Sequence, residues 1–327
     1  MSGKKKFTLE DVRETYKKKD AWWTVLLVDP IASRLILPTA NYTNITPNQL
    51  SLFSFALGLT AAYCFFLGNY TALVIGAILY HISFIIDCMD GKIARLKGTG
   101  TTFGMLLDIS LDHIRVVICI AALTYSQYKL SADVTYLYLA FLFLASYCAR
   151  HINALQLYKL RRNMHGKLNK AKRNLQRTGE IAGIIVEPSN GQQQKEKQEE
   201  ELPEDHEGIN TEILQKKKFD LQQEFKSRFT TYMKINRFFF EKRIRMHFFS
   251  GIEFQMFVFV VAPIIGYLKQ FIFFGSLLLL AFEAAILYKI WLSTKDFQRE
   301  FDKIKKVTEE IEEKLTPEQR EALAEIR

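Results

Sequence analysis

Several things are scarce or missing from this 327-residue sequence. Its 4 cysteines, Cys64, Cys88, Cys119 and Cys148, form no CxxC pair and sit in or beside apolar runs, so they read as ordinary buried thiols. The 6 histidines do not cluster either, which disfavours zinc. The absence of a GxxxxGK[ST] stretch excludes a Walker-type phosphate loop, and no internal repeat of the kind that builds transporters is visible. The basic start, MSGKKKFTLEDVRETYKKKD, lacks the following apolar region and small-residue cleavage site of a signal peptide, so no cleaved signal is expected.

Long apolar runs are plentiful. Crossing ~30 Å of hydrocarbon takes roughly 20 apolar residues, and such runs lie near 48–68, 71–91, 103–126, 134–157, 248–268 and 271–293. The expected fold is all-α: a polytopic membrane protein with six transmembrane helices, an N-terminal interfacial helix, and a cytoplasmic helical insert and tail. Its expected segments are 1–46 (N-terminus and interfacial amphipathic helix), 47–157 (helices 1–4), 158–247 (basic insert), 248–293 (helices 5–6) and 294–327 (amphipathic C-terminal helix).

Charge supplies the orientation. Lys and Arg crowd the N-terminus, the 92–101 turn, the insert and the tail, whereas the connections GNYT, SQYKLSAD and YLKQF carry one lysine or none. The positive-inside rule places the basic segments, both termini included, in the cytoplasm. The net charge of +9 fits attraction to anionic lipid next to the membrane as well as a plain solvated surface, and calls for no nucleic acid.

Local signals add detail. Trp22 and Trp23, in an apolar stretch interrupted by Pro30, suit a helix lying at headgroup level. In TNITPNQLSL, Thr46 reads as an N-cap and Pro47 as the first residue of the first span. The tract SNGQQQKEKQEEELPEDHEG can bury almost nothing and is expected to be disordered; the basic segments flanking it are helix-permissive and can extend helix 4 and precede helix 5. In the tail, Phe297, Phe301, Ile304, Ile311 and Leu315 share one helical face, followed by a Thr316–Pro317 restart with Gln319 in capping-box position.

Four aspartates interrupt the apolar pattern. Each costs a few kcal/mol at membrane depth, which makes intramembrane carboxylates functional candidates. Asp87, Asp90, Gly91, Ala94 and Arg95 recur at helical spacing, Asp108 and Asp112 at i and i+4 on the next span, and the short turn LKGTGTT lets the two helices meet. Four facing carboxylates repel unless cations lie between them, and all-oxygen ligation suits Mg²⁺, Mn²⁺ or Ca²⁺. Carboxylate-bound Mg²⁺ commonly takes further ligands from phosphate, so a phosphorylated substrate is expected. Small Gly91 and Ala94 leave room for a ligand, or for close helix packing. His81, a turn and a half before Asp87, reads as a satisfied interior histidine.

Asp87-x2-Asp90-Gly91-x2-Ala94-Arg95-x8-Gly104-x3-Asp108-x3-Asp112 resembles the signature of the CDP-alcohol phosphotransferases at every fixed position. The interfacial helix, the six spans and TPNQLS are similar to that family's arrangement; the insert and long tail depart from it. The resemblance implies that Asp87, Asp90 and Asp108 hold divalent ions, Mg²⁺ or Mn²⁺ and two in number, against the pyrophosphate of a CDP-linked donor. It further implies that Gly91, Ala94, Arg95 and Gly104 shape or contact the CMP moiety, that Asp112 is the general base toward the acceptor hydroxyl, and that a homodimer is compatible with the chain.

The motif does not choose between two substrate sets. One is phosphatidyl transfer from CDP-diacylglycerol to a small polar alcohol, anionic or neutral. The other is transfer from a CDP-linked small alcohol to a lipid hydroxyl. SYCAR, at Ser146–Arg150, is one residue short of the SYxxAR of members with anionic acceptors. Arg115, Arg150 and His151 are candidates for binding an acceptor phosphate or carboxylate, with snorkelling to the interface as the alternative for the arginines. Glu253 can orient the acceptor, and Glu283 can pair with Lys289 or face a dimer partner. A cation transporter or channel is the rival class, opposed by the clustering of the carboxylates near one membrane face.

Overall fold

The computed structural model describes residues 6–183, 221, 223–245, 249 and 251–326, and the statements below concern these residues. The tract 189–208, expected to be disordered, lies outside them. Regular structure is helical: α1 (Leu9–Glu14), a π-helical turn (Thr24–Val28) running into α2 (Asp29–Tyr42), α3 (Pro47–Leu67), α4 (Tyr70–Lys97), α5 (Thr102–Ser131) and α6 (Thr135–Ile181). Then come α7 (Gln223–Arg228), α8 (Thr230–Glu241), α9 (Ile252–Met256), a second π-helical turn (Phe257–Val261), α10 (Ala262–Ile265), α11 (Leu268–Lys314) and α12 (Pro317–Ile326). One isolated parallel bridge joins Asp20 to Ile244.

Helix α3 begins where its cap signals place it. The Thr46 hydroxyl accepts from the Gln49 N–H at 3.3 Å, and the Gln49 side chain accepts from the Thr46 N–H at 2.9 Å, with Pro47 opening the helix. Helix α4 stops at Gly98, whose φ of 65° is left-handed and costs glycine little. Thr101 then caps α5 by accepting from the Gly104 N–H at 3.0 Å. A four-residue turn, 98–101, therefore reverses the chain between the two motif-bearing helices.

Three helices, Pro47–Leu67, Tyr70–Lys97 and Leu268–Lys314, are long and apolar enough to cross a membrane. Helix α5 is long enough, but its first half carries Asp108, Asp112 and Arg115. The fifth expected run is shorter than expected: its helical part, Ile252–Ile265, contains the second π-helical turn and ends at left-handed Gly266. The expected interfacial helix is the π-helical turn Thr24–Val28 running on into α2, with Pro30 in the first turn of α2. Trp23 is buried against His81 rather than presented at a surface. Among the cysteines only Cys119 is buried; Cys148 is exposed.

The chain divides into two compact units, Met1–Asn153 with Thr231–Ala285, and Ala154–Thr230 with Ile286–Arg327. In the first, α4 and α5 both pack along α3. Its core is aromatic: Phe259 of the second π-helical turn lies with its ring centroid 4.8 Å from Tyr80 and 5.5 Å from Phe143, and Phe143 stacks on Phe254 at 4.6 Å. A buried ionic cluster closes one edge. Asp29 accepts from Lys92 at 2.6 Å and from Arg243 at 3.2 Å, and both cations lie over the Tyr16 ring. Arg243 has a left-handed φ of 61°, a costly backbone for arginine that its three side-chain partners, Asp29, Tyr16 and the Lys17 carbonyl, hold in place.

In the second unit, Met164, Leu168 and Leu175 of α6 form a core with Leu221 and with Ile304, Val307 and Ile311 of α11, flanked by Phe297 and Phe301. The apolar stripe of the tail is thus used for packing on α6, which continues well past the expected span. Thr316 and Gln319 form the reciprocal hydrogen bonds of a capping box at the start of α12.

Candidate active site

The four motif aspartates come from α4 and α5, and the helix both pack against, α3, supplies hydroxyl donors to two of them. Asp87, Asp90 and Asp108 each offer a carboxylate oxygen, and these oxygens lie within 4.8 Å of one another. The Ser51 hydroxyl donates to Asp90 and the Ser54 hydroxyl donates to Asp87 at 3.1 Å. Asp108 Oδ1 is buried without a hydrogen-bond partner. An orphaned carboxylate oxygen beside two others is costly in a protein interior. An all-oxygen donor set of this kind fits a hard divalent cation.

Asp112 stands apart from the three. Its Oδ1 accepts from Arg115 at 2.5 Å, and it is 37% exposed, whereas Arg115 is 3% exposed. The same guanidinium donates to Asp87 at 3.3 Å and to Ser83 at 3.1 Å, and it lies over the Tyr80 ring. Arg115 therefore cross-links Asp87 to Asp112. Gly58 makes the arrangement possible: a Cβ there would come within 2.4 Å of Arg115 Cδ. Ser83 extends the network by donating to the Ser54 carbonyl at 2.7 Å.

The other motif residues divide between two surroundings. A Cβ on Gly91 would meet nothing closer than Arg95 Nη1 at 3.6 Å, so this part of α4 is open to a ligand. Arg95 is exposed and its Nε donates to the Thr15 carbonyl at 2.7 Å, tying α4 to the N-terminal segment. Ala94 is half-buried, and a Cβ placed on Gly100 of the turn would meet the Ala94 Cβ at 3.8 Å. Gly104 has a packing reason of its own, since a Cβ there would lie 2.7 Å from Asn48 Oδ1 in the first turn of α3.

The acceptor candidates are more scattered. Arg150 pairs with Glu283 at 3.2 Å, and Asn153 donates to the same carboxylate at 3.1 Å. Glu253 is 1% exposed in α9, two residues before Gln255, which accepts from the Tyr80 hydroxyl at 3.2 Å. His81 packs edge-on against Trp23, and its Nδ1 is buried without a hydrogen-bond partner. Sequence reasoning missed Ser51, Ser54, Ser83 and Gly58. The available signal was the i, i+3 serine pair just inside the first span, on one helical face.

Helices fit to cross a membrane, together with a three-carboxylate cluster braced by a buried arginine, define an integral membrane protein with a candidate divalent-cation site. Residues 44–185 match the model of the CDP-alcohol phosphatidyltransferase family. It is 36% identical over 70 residues to the archaetidylinositol phosphate synthase of Pyrococcus horikoshii, covering 21% of this chain and 36% of the relative. It is 36% identical over 89 residues to the phosphatidylinositol phosphate synthase of Corynebacterium glutamicum, covering 27% and 37%. The archaetidylinositol phosphate synthase of Methanothermobacter thermautotrophicus matches at 36% over 97 residues, covering 30% and 44%. The chain thus spans less than half the length of each of these relatives.

Proposed function

We propose that this protein is a CDP-alcohol phosphotransferase that moves a phosphatidyl group from CDP-diacylglycerol to a small, polar, anionic alcohol and releases CMP. The observation that carries the reading is the convergence of Asp87, Asp90 and Asp108 within 4.8 Å, with Asp112 one turn further along α5 on the same arginine as Asp87. The names of the relatives, synthases of inositol phosphate lipids, favour an acceptor that carries phosphate.

Asp87, Asp90 and Asp108 would hold Mg²⁺ or Mn²⁺, two ions in the family pattern. An ion held by these carboxylates would supply neutralisation of the pyrophosphate charge and of the charge that develops on the attacking and leaving oxygens. The chain's own residues do the rest. Ser51 and Ser54 fix the rotamers of Asp90 and Asp87. Open Gly91, with Ala94, Arg95 and Gly104, would border the CMP moiety. Asp112 accepts the proton of the acceptor hydroxyl as its oxygen bonds to the β-phosphorus. The bond from that phosphorus to the bridging oxygen breaks, and CMP departs with the electron pair. Arg115 keeps the Asp112 carboxylate oriented.

In the membrane we assign six crossings, by α3, α4, α5, the first part of α6, residues 252–265 and the first part of α11. The basic segments and both termini would be cytoplasmic, which puts the carboxylates near the 98–101 turn at the surface where a lipid and a water-soluble substrate meet. Arg150 and Glu253 belong to the outer wall of the acceptor space in this reading, and a homodimer is compatible with it.

The test is CMP release by the purified protein with divalent metal, CDP-diacylglycerol or CDP-choline, and a panel of inositol phosphate, glycerol phosphate, serine and diacylglycerol. Turnover of CDP-diacylglycerol with a phosphorylated alcohol is expected. Turnover of CDP-choline with diacylglycerol instead would move the assignment to the other substrate set, and no CMP with any pair would refute it.

A further inference from the structure

The chemistry of the site leaves α8 unused. At about 100° per residue, Phe239 stands at the middle of an apolar arc with Ile235 and Phe238 to one side and Phe240 to the other, while Arg237 and Glu241 occupy the opposite arc. The protein covers only the middle of the apolar arc: Phe239 is half-buried, whereas Ile235, Phe238 and Phe240 are 43%, 53% and 47% exposed. Lys242 Nζ lies 4.6 Å from the centroid of the Phe238 ring and Lys19 Nζ 4.5 Å from that of Phe240, so each exposed ring has an ammonium beside its apolar body. One exposed apolar side chain is ordinary; three on one helix, rimmed by charge, mark a surface that something covers.

Position and charge identify what covers it. The parallel bridge of Asp20 with Ile244 ties the end of α8 to the segment that runs into the Thr24–Val28 turn and α2, where Leu27, Ile31 and Leu35 are exposed at four-residue spacing. In the other direction, only residues 242–251 separate α8 from the apolar stretch Ile252–Ile265. This helix therefore lies between two apolar segments, in a unit whose Pro47–Leu67 and Tyr70–Lys97 are fit to cross a membrane. Among residues 17–19 and 235–242, Lys17, Lys18, Lys19, Arg237 and Lys242 are exposed, against one exposed carboxylate, Glu241. A second copy docked through this face would set those cations against one another, whereas anionic headgroups complement them. We propose that α8 is an interfacial helix whose apolar arc lies in the acyl–headgroup boundary of the bilayer, with Lys19 and Lys242 gathering anionic phospholipid around it. The inference does not depend on the phosphotransferase reading.

The test places full-length Phe238→Trp or Phe240→Trp protein in vesicles of phosphatidylcholine and phosphatidylglycerol, and subtracts the emission of the parent, whose tryptophans are Trp22, Trp23 and Trp291. Lipid brominated along its acyl chains should quench the added tryptophan, and iodide, present on both sides of the bilayer, should barely do so. With the two lipids at matched mole fraction and bromine on one or the other, brominated phosphatidylglycerol should quench like a roughly fivefold higher proportion of brominated phosphatidylcholine, the enrichment that one surface lysine confers. Lys19→Glu together with Lys242→Glu should remove that excess and leave the shielding from iodide. Ile235→Trp reads the same arc should either tryptophan variant fail to fold. Strong quenching by iodide with none by brominated lipid would make the helix water-facing and overturn the proposal. Shielding from both quenchers would place protein, this chain or a second copy, over the face and overturn it equally. Equal quenching by the two brominated lipids would overturn the gathering of anionic headgroups.

Discussion

Arg115 and Asp112 are one helical turn apart and 2.5 Å from each other, and the same guanidinium reaches across to Asp87 on α4. The residue read as a base and a residue read as a metal ligand therefore share one buried cation. Moving that cation perturbs both, which separates the expected behaviour of the following variants.

Asp112→Asn keeps the shape and hydrogen-bonding reach of the side chain but cannot take a proton. CMP release should fall by about 10²–10⁴-fold, the usual range for a general base. Metal binding, followed by calorimetry, should persist. Full activity in this variant would remove Asp112 from the chemistry.

Metal removal should act through the other three carboxylates. A chelator should abolish CMP release, and Mg²⁺ or Mn²⁺ should restore it. Because a ligand that binds only the folded state stabilises it, by about 2.7 kcal/mol at one hundred times its Kd, the metal should also raise the unfolding midpoint of the parent. Asp108→Asn should lose most of that rise. Metal-independent turnover would contradict the assignment.

Gly58→Ala tests the brace without touching any carboxylate. Its Cβ would intrude to 2.4 Å from Arg115 Cδ, and the arginine is held at its far end by Asp87 and Asp112. Overpacking of this kind costs about 1–3 kcal/mol. Thermal unfolding should register that loss, and kcat should drop further than the donor KM rises.

Asp29→Leu probes the ionic cluster behind α4. Asp29 and Lys92 are about 5% exposed, and Arg243 approaches the same carboxylate. Removing one partner of a buried pair leaves an uncompensated charge and costs about 3–5 kcal/mol. A clear fall in the unfolding midpoint is expected; adding Lys92→Met should recover part of it.

How much of this was legible in the sequence follows from what makes each signal. The Thr46 cap, the turn after α4 and the aspartate spacing are local, and local chemistry fixes them. The clustering of three of the four aspartates was legible for the same reason, because helical periodicity and a short turn leave few alternatives. Ser51 and Ser54 were not, since a serine in an apolar helix has its own carbonyls to bond, and both do bond back, to Pro47 and Ser51. The partner of Arg115 at i−3 was visible, but that its reach extends to Asp87 depends on how α3 spaces its neighbours. Likewise the π-helical turn within 252–265 leaves no mark in a uniformly apolar run, and only Pro263 and Gly266 hint at where the helix ends.

Asp20 completes its main-chain hydrogen bonds with residues made much later: its N–H donates to the Arg243 carbonyl at 2.9 Å, and the Arg245 N–H donates to its carbonyl at 2.8 Å. During synthesis the N-terminal segment emerges first, yet its docking beside α4 must wait until more than two hundred further residues have left the ribosome. Until then the segment that carries Thr15, the anchor of Arg95, has only part of its final support. The rim of the site is thus assembled last although it is translated first, and a nascent chain truncated before Arg243 should insert its early helices without acquiring a finished pocket.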